Sequence, residues 1–508
     1  MSQADPQARS YDAVPYESKP LQPTHPDHLA VMARLAGLVP PDPTTCRVLE
    51  IGCATGGNLM PMALGLPGAT FVGVDVSPEQ IAAGERVRRE LRLDNVELLA
   101  ASIVDATFAE GSFDYVVCHG VYSWVPEFVQ QSILATCARV LSPRGVAYVS
   151  YNTYPGWHLR SMMRDMLLYH ARGTEDPRQR IRQSREFVDF LHRTSGADDS
   201  AFARFLGEEA QLLARASDTY VFHEHLETDN RPVHFREFAE RASTHGLRFL
   251  TEAVDDDRVT GRAEVAAFLE QHAHDPIERG QYIDFLQNRT FRRSLLCRAT
   301  APVENVGADA LTTLWLGSAM RPEGAEADCH GESIETFAGP GGQKLSIGHP
   351  WLKLAFVSLG RHWPEFVSFA ALAAEIAHDR GAEPAADELQ EILGALRECH
   401  RGGVLKLQTH AGLARRTGGS RPLASPLARW MAQSGNRVSS LRHELVELRE
   451  VDRLVLLLLD GTRDRGALAV ALRRAAEAAA LPLPGDAEHE LAQSLGILGI
   501  AGMLLPGP

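Results

Sequence analysis

Between residues 46 and 75 the spacing of apolar positions changes three times. Cys46-Arg47-Val48-Leu49-Glu50-Ile51 has the length and β-branched content of one buried strand. Gly52-Cys53-Ala54-Thr55-Gly56-Gly57-Asn58 interrupts it with glycines, and Leu59 to Leu64 opens a helix. Thr70-Phe71-Val72-Gly73-Val74 is again apolar and closes on Asp75. The alternation continues. Ser77-Pro78-Glu79 has the N-cap, proline and early acid of a helix start, running to about Leu91. Val96 to Leu99, Phe113 to Cys118 and Val146 to Tyr151 predict further strands, with a helix over Glu127 to Leu141. Strands alternating with helices imply an α/β, doubly wound parallel sheet.

The glycine turn separates possible cofactors. A dinucleotide site wants G-x-G-x-x-G, with a bare backbone where the pyrophosphate comes closest. Here the order is Glu50-x-Gly52-x-x-x-Gly56-Gly57, with Ala54 at that close approach. S-adenosylmethionine (SAM) carries no phosphate and needs room for a sulfonium, a zwitterionic methionine end and a ribose. Asp75 can accept from both ribose hydroxyls, and the helix start after Gly57 can favour the methionine carboxylate. Ser102 and Ile103, after the third strand, are placed for the adenine amine and ring. His119-Gly120-Val121-Tyr122-Ser123-Trp124-Val125-Pro126 follows the fourth strand, where a doubly wound sheet meets the reacting end of its ligand.

Outside this core the pattern is looser. Residues 1–45 read as an N-terminal arm and helix over the cofactor cleft, with Tyr16 on the cofactor or the arm as a plain surface strap. Residues 158–216 are largely helical, broken near Gly173 to Pro177. A Gly/Pro/Glu-rich stretch, 304–345, reads as a linker-rich junction. Helices over His349–Gly360, Phe366–His378 and Glu388–Cys399, then Gly402 to Leu407 as a hairpin signal, suggest a winged-helix unit. The rest of 346–508 reads as helical.

Composition narrows the partners. The 508 residues are 44% hydrophobic and 23% charged, with 65 acids against 51 bases and a formal charge of −14. That balance opposes nucleic-acid binding and anionic membranes and admits a basic, lysine-bearing partner. Seven cysteines without a CxxC suggest neither zinc nor disulfides. A polar start and short aliphatic runs point to a cytoplasmic protein without membrane insertion.

The chain resembles class I SAM-dependent methyltransferases that carry a methyltransferase regulatory domain, and is similar to the rickettsial-type protein-lysine methyltransferases among them. The motifs that carry this are Tyr11-Asp12-x-x-Pro15-Tyr16-x-Ser18, Thr24-His25-Pro26, Glu50 to Asn58, His119 to Pro126, Tyr148 to Trp157, Tyr220 to Glu227 and Gln281 to Leu286. The resemblance implies a Rossmann-like seven-stranded sheet. Its SAM-binding core is 46–154, its helical lid or regulatory insertion 155–243, and its last two strands, an antiparallel pair, fall in 244–303. A C-terminal, mostly helical winged-helix-like domain is implied for 346–508. Relatives usually have glycine where this chain has Ala54. The expected cofactor set is Tyr16, Glu50, Gly52, Cys53, Gly56, Asn58, Asp75, Val76, Gln80, Ser102, Ile103, His119, Gly120 and Val121. S-adenosylhomocysteine is the expected product.

Methyl transfer requires the acceptor in line with the methyl, within about 3–3.5 Å, and water excluded. A lysine acceptor must lose its proton, which an apolar pocket promotes, and aromatic walls steer its stem. Tyr122, Trp124, Asn152, Tyr154 and His119 are therefore the catalytic candidates, with Tyr151, Trp157, His223 and His225 toward the substrate. Each has a plainer reading: the aromatics close a core, Asn152 caps a turn, His119 is a hydrogen-bonding spacer or cofactor contact. His223 and His225, read on one face of a strand, are a lid contact or local structure, with no third ligand for a metal. The expected reaction is methylation of a protein or peptide, on lysine nitrogen. The alternatives are a small-molecule N- or O-methyltransferase, with the tail serving a homodimer, and a SAM-bound interaction protein without turnover.

Overall fold

The apolar blocks pair into one sheet: β1 (Arg47–Ile51), β2 (Thr70–Asp75), β3 (Val96–Ala100), β4 (Phe113–Cys118), β5 (Leu141–Asn152), β6 (Leu247–Glu252) and β7 (Phe291–Arg298). The computed structural model describes residue 14 and residues 18–195, 200–257, 259, 261–304, 307, 309–324, 327–483 and 485–507. Strand order is β3-β2-β1-β4-β5-β7-β6. β1 to β5 run parallel, and β7 is antiparallel to both β5 and β6. Chain order reverses across β1, which lies between β2 and β4, so a ligand crevice opens at its carboxyl end.

Strand residues divide by parity between two cores. Val48, Phe71, Tyr115, Val117 and Tyr148 face one side of the sheet. Leu49, Val74, Val116, Cys118, Val149 and Tyr151 face the other. Both faces are covered, which is why these strands read as continuous apolar runs rather than alternating ones. The insertion forms its own helical core around Met163, Leu167, Val188, Leu206 and Phe222.

Two expectations for the second half are corrected. Residues 304–345 are not a linker: they carry β8 (Trp315–Gly317), β9 (Arg321–Pro322), β10 (Glu335–Ala338) and β11 (Lys344–Ile347). Leu311, Leu316, Met320 and Phe337 from this stretch pack in one core with the helices Pro350–His362, Phe369–Arg380 and Ala386–Arg401. The strands have two to four residues each, too short for a period to register. The hairpin expected near Gly402 is also absent: β13 (Lys406–Gln408) pairs with β8, whose other neighbour is β12 (Val367–Ser368). The tail has its own core around Val438, Val455, Leu472 and Leu498. It includes the hairpin β14 (Arg437–Ser439) and β15 (Leu445–Glu447).

The helix Pro26–Leu35 joins the halves. Leu29, Ala30 and Ala33 sit in a sheet core, while Val31 and Leu35 sit in the core of 310–407. Asp27 also accepts from the Thr409 backbone N–H at 2.8 Å.

Candidate cofactor and acceptor site

The glycine turn is built around Asp75. The Ala54 N–H donates to its Oδ2 at 2.8 Å and the Ser77 N–H to its Oδ1 at 2.9 Å. A carboxylate has about four lone-pair positions, so these bonds do not exhaust it. Gly52 and Gly56 adopt φ of 76° and 74°. At Gly52 a Cβ would lie 2.3 Å from Val121 Cγ2, so the close approach of this turn to the β4 loop excludes a side chain. Ala54 sits at φ 50°, a conformation that costs an L-residue about 1–2 kcal/mol. A glycine here would carry no such strain.

The turn, the ends of β1, β2 and β4, and the arm at Ser18 to Leu21 enclose one cavity. Of the expected cofactor residues, Glu50, Gly52, Cys53, Asn58, Asp75, Val76, Gln80, Ser102, Ile103, His119, Gly120 and Val121 line it. Gly56 does not; its φ lets the chain pass Met60 and Leu98 instead. Tyr16 lies outside the described residues. The Gly57 N–H, expected free at the helix start, donates to Ser18 Oγ at 2.9 Å.

Electrostatics distinguish the ends of the cavity. Glu50 is buried, and burial pushes its carboxyl up to about 8, against the Asn58 hydrogen bond and reinforced by Asp75. Its Oε1 accepts from Asn58 Nδ2 at 2.7 Å, while Oε2 has no hydrogen-bond partner. The Lys19 side chain joins the wall nearby and makes no ion pair among the described residues. Farther along, Gln80 Oε1 is likewise buried and unpartnered beside Ile103, Val125 and Val129. The cavity wall thus carries a buried acid, a lysine, the Asp75 carboxylate and apolar side chains.

At the β4 end, His119 Nδ1 is 2.9 Å from the Tyr148 hydroxyl. Burial, with Arg293 and Lys19, lowers its pKa to about 4, so the ring is neutral at physiological pH and a weak base. Trp124 forms wall, with the Arg164 guanidinium 5.6 Å over its ring. The helix Asp218–His225 closes the cavity with His223 and Glu224. His223 spends both ring nitrogens on acceptors, Glu227 Oε1 at 2.8 Å and the Val14 carbonyl at 2.7 Å, so it straps the arm to the insertion. Among the described residues no group of His, Cys, Asp or Glu is arranged for a metal ion.

Six further expected site residues do not line this cavity. Tyr122 and Tyr151 are core: Tyr151 stacks on Phe238 at 4.0 Å and Tyr122 meets the same ring edge-on at 5.3 Å. The pleat of β5 sends Tyr151 to the sheet face, where its hydroxyl lies 3.1 Å from Ser294 Oγ. Trp157 is buried edge-on against Trp124 at 6.0 Å. Tyr154 stacks on His158 at 4.2 Å. Asn152 is buried in the strand, where its N–H donates to Ser123 Oγ at 2.8 Å. His225 is buried and, in a helix rather than a strand, does not share a face with His223. Burial also lowers its pKa to about 3, with Arg160 and Arg164 adding to the effect.

Reasoning from sequence missed Lys19 and Glu224. Each sits inside a quoted motif or just after one, but no spacing rule ranks a lone Lys or a Glu between histidines. Burial raises the Glu224 carboxyl, with Arg160, Arg164 and His223 opposing. Among the described residues nothing hydrogen-bonds or ion-pairs with that carboxylate. A larger cleft of about 470 Å³ near β6 is separate from this site. Several of its charges pair with one another: Arg292 with Glu252, Arg289 with Asp256 and Arg401 with Asp255.

Three family models match the chain: "Methyltransferase domain" over 48–145, "Predicted methyltransferase regulatory domain" over 217–298, and "PKMT, C-terminal winged helix domain" over 420–497. The last places the winged helix in the tail core with β14 and β15, not at 346–407. "Uncharacterized protein RP789" of Rickettsia prowazekii is 33% identical over 476 residues, covering 91% of this chain and 85% of its own length. The solved structure of PKMT2 from Rickettsia typhi superimposes with a TM-score of 0.85 at 27% identity, covering 96% of this chain and all of that one. Its complex with AdoHcy gives 0.83 at the same identity.

Proposed function

The chain belongs to the SAM-dependent methyltransferases that carry a regulatory domain and a PKMT-type winged helix, and from that premise we propose that it methylates lysine side chains of a protein or peptide. The observation that carries the acceptor class is Glu224. An unpaired, half-buried carboxylate on the wall of the cavity that Trp124 also lines suits a cationic alkylamine.

The orphaned Oε2 of Glu50, the unpaired Lys19 and the orphaned Oε1 of Gln80 fit SAM. Glu50 would take the ammonium and Lys19 the carboxylate of its methionine end. Asp75 would accept from the ribose hydroxyls, while Ile103, Val125 and Val129 flank the adenine and Ser102 and Gln80 meet its polar edge. Val76, Gly120 and Val121 complete the wall. When bound, SAM supplies a methyl group on a sulfonium. Trp124 and the helix Asp218–His225 exclude water and align the acceptor stem. The Glu224 carboxylate accepts the proton that the lysine ammonium must lose, and burial, which raises its pKa, makes it a stronger base than an exposed carboxylate.

The test is mass spectrometry of bacterial proteins and of a mixed peptide library after incubation with isotopically labelled SAM. Label on lysine in steps of ~14 Da supports the proposal. Turnover confined to small phenols or acids, with no polypeptide labelled, refutes it.

A further inference from the structure

The turn between β14 and β15 places a residue of the winged helix against Asn58 and Leu21, which line the cofactor cavity. His443 occupies this turn at φ 60° and is buried, with its ring 5.3 Å from that of His25. Its Nε2 lies 2.7 Å from Asn58 Oδ1, across 385 residues of sequence. Which atom donates follows from the other partners of Asn58. Its Nδ2 donates to Glu50 Oε1 at 2.7 Å and to Thr24 Oγ1 at 2.9 Å, and Thr24 in turn donates to the Leu21 carbonyl at 2.8 Å. The amide is therefore oriented with Oδ1 toward His443, where it also accepts from the Leu21 N–H at 2.9 Å. The same N–H also points at His443 Nε2, at 3.1 Å; this longer branch gives way to the bond with Asn58 Oδ1 when Nε2 is protonated. Two lone pairs 2.7 Å apart would repel, so Nε2 carries a proton and donates. Nδ1 has no partner, so the ring is the neutral Nε2–H tautomer.

We propose that His443 is a positioning residue for the cofactor: through Asn58 it fixes the Glu50 carboxyl, so that the winged-helix tail sets how tightly the catalytic domain holds the amino-acid end of SAM. The chain of donors runs His443, Asn58, Glu50 Oε1, and the other oxygen of that cavity-lining carboxyl, Oε2, has no protein partner. Without His443, Asn58 Oδ1 loses a buried donor and the amide can turn. Glu50 then loses the hydrogen bond that fixes its plane. The inference rests on the assignment of Glu50 to the ammonium, and it makes the tail part of the cofactor site rather than a platform beside it.

The experiment uses the full chain and two calorimetric probes, SAM and 5′-methylthioadenosine, which lacks the amino-acid end. His443→Asn keeps a residue tolerant of positive φ but is too short to reach Asn58; His443→Gln restores an N–H donor at similar reach. The expected result is about tenfold weaker SAM binding for H443N, the size of one buried hydrogen bond. Methylthioadenosine affinity stays within about twofold, and H443Q recovers most of the SAM loss. Equal weakening of both probes would mean general loosening and overturn the proposal, as would no change in either. If H443N does not fold, the comparison rests on H443Q alone: SAM affinity near wild type supports the proposal, and a tenfold loss overturns it. Asp75→Asn separates the two layers. If it leaves both probes unaffected, the cofactor assignment itself has failed; if it weakens both while H443N changes neither, only the role of His443 has.

Discussion

Replacing Glu50 with Gln should make the cofactor-free protein more stable at alkaline pH while making it a poorer SAM binder. In the fold, burial raises this carboxyl from 4.5 to about 8. Between those values the folded chain holds a proton that the unfolded chain has released, so stability falls as pH rises. The contribution is present in full below 4.5 and lost as pH passes about 8. At ~1.4 kcal/mol per pH decade the loss is at most on the order of 5 kcal/mol. Gln keeps the bond from Asn58 and does not titrate. The thermal midpoint of E50Q should therefore match wild type near pH 5 and exceed it progressively toward pH 9. Cofactor binding supplies the complementary readout. An ammonium opposite Oε2 favours the ionised carboxylate, so wild type should release up to about 0.9 of a proton on binding SAM at pH 7. Calorimetry in buffers of different ionisation enthalpy measures this, and E50Q should lose that release along with at least tenfold in affinity. If E50Q is less stable than wild type at pH 9, or releases the same proton, then Glu50 is neither a buried acid at rest nor the partner of a cation.

Three further substitutions probe other parts of the argument. Glu224→Gln should lower kcat/KM for an amine acceptor about 100-fold at neutral pH and steepen its rise with pH, with SAM affinity unchanged; initial rates from pH 6 to 9.5 and a binding titration check this. Ala54→Gly should stabilise the cofactor-free protein by ~0.5–1 kcal/mol, since the relief of left-handed strain exceeds the added chain entropy, read from denaturation midpoints. Tyr122→Phe should leave kcat/KM within about twofold, because the ring lies in the core between Tyr151 and Phe238; a loss of tenfold or more would restore it to the acceptor path.

How far the residues alone could lead differs between strands and loops. Strand positions such as Val48, Leu49, Val116 and Val117 declare themselves because burial on both faces leaves no polar alternative, and a carboxylate closing the second strand marks the cofactor side. Aromatic loops do not declare a direction. Tyr122, Trp124, Tyr151 and Trp157 are alike as letters, yet only Trp124 reaches the cavity. The difference arises from the pleat of β5 and from Phe238, whose ring claims Tyr122 and Tyr151 from a helix some ninety residues downstream. A strand over His223 to His225 would put both histidines on one face; the helix there brings His223 and Glu224 to the cavity while His225 is buried away from it.

Local pattern by itself therefore determined the first two strands, the glycine turn between them and the sulfonium nucleotide that suits it, because each depends on residues between 46 and 75. Tertiary structure decided which groups are left without partners. Glu50 Oε2, Lys19 and Glu224 acquire meaning only when everything around them has been paired. The link from His443 to Asn58 depends on two cores meeting across the helix Pro26–Leu35. No period in a sequence encodes a hydrogen bond between residues 385 apart, because that bond exists only once both domains have folded and docked.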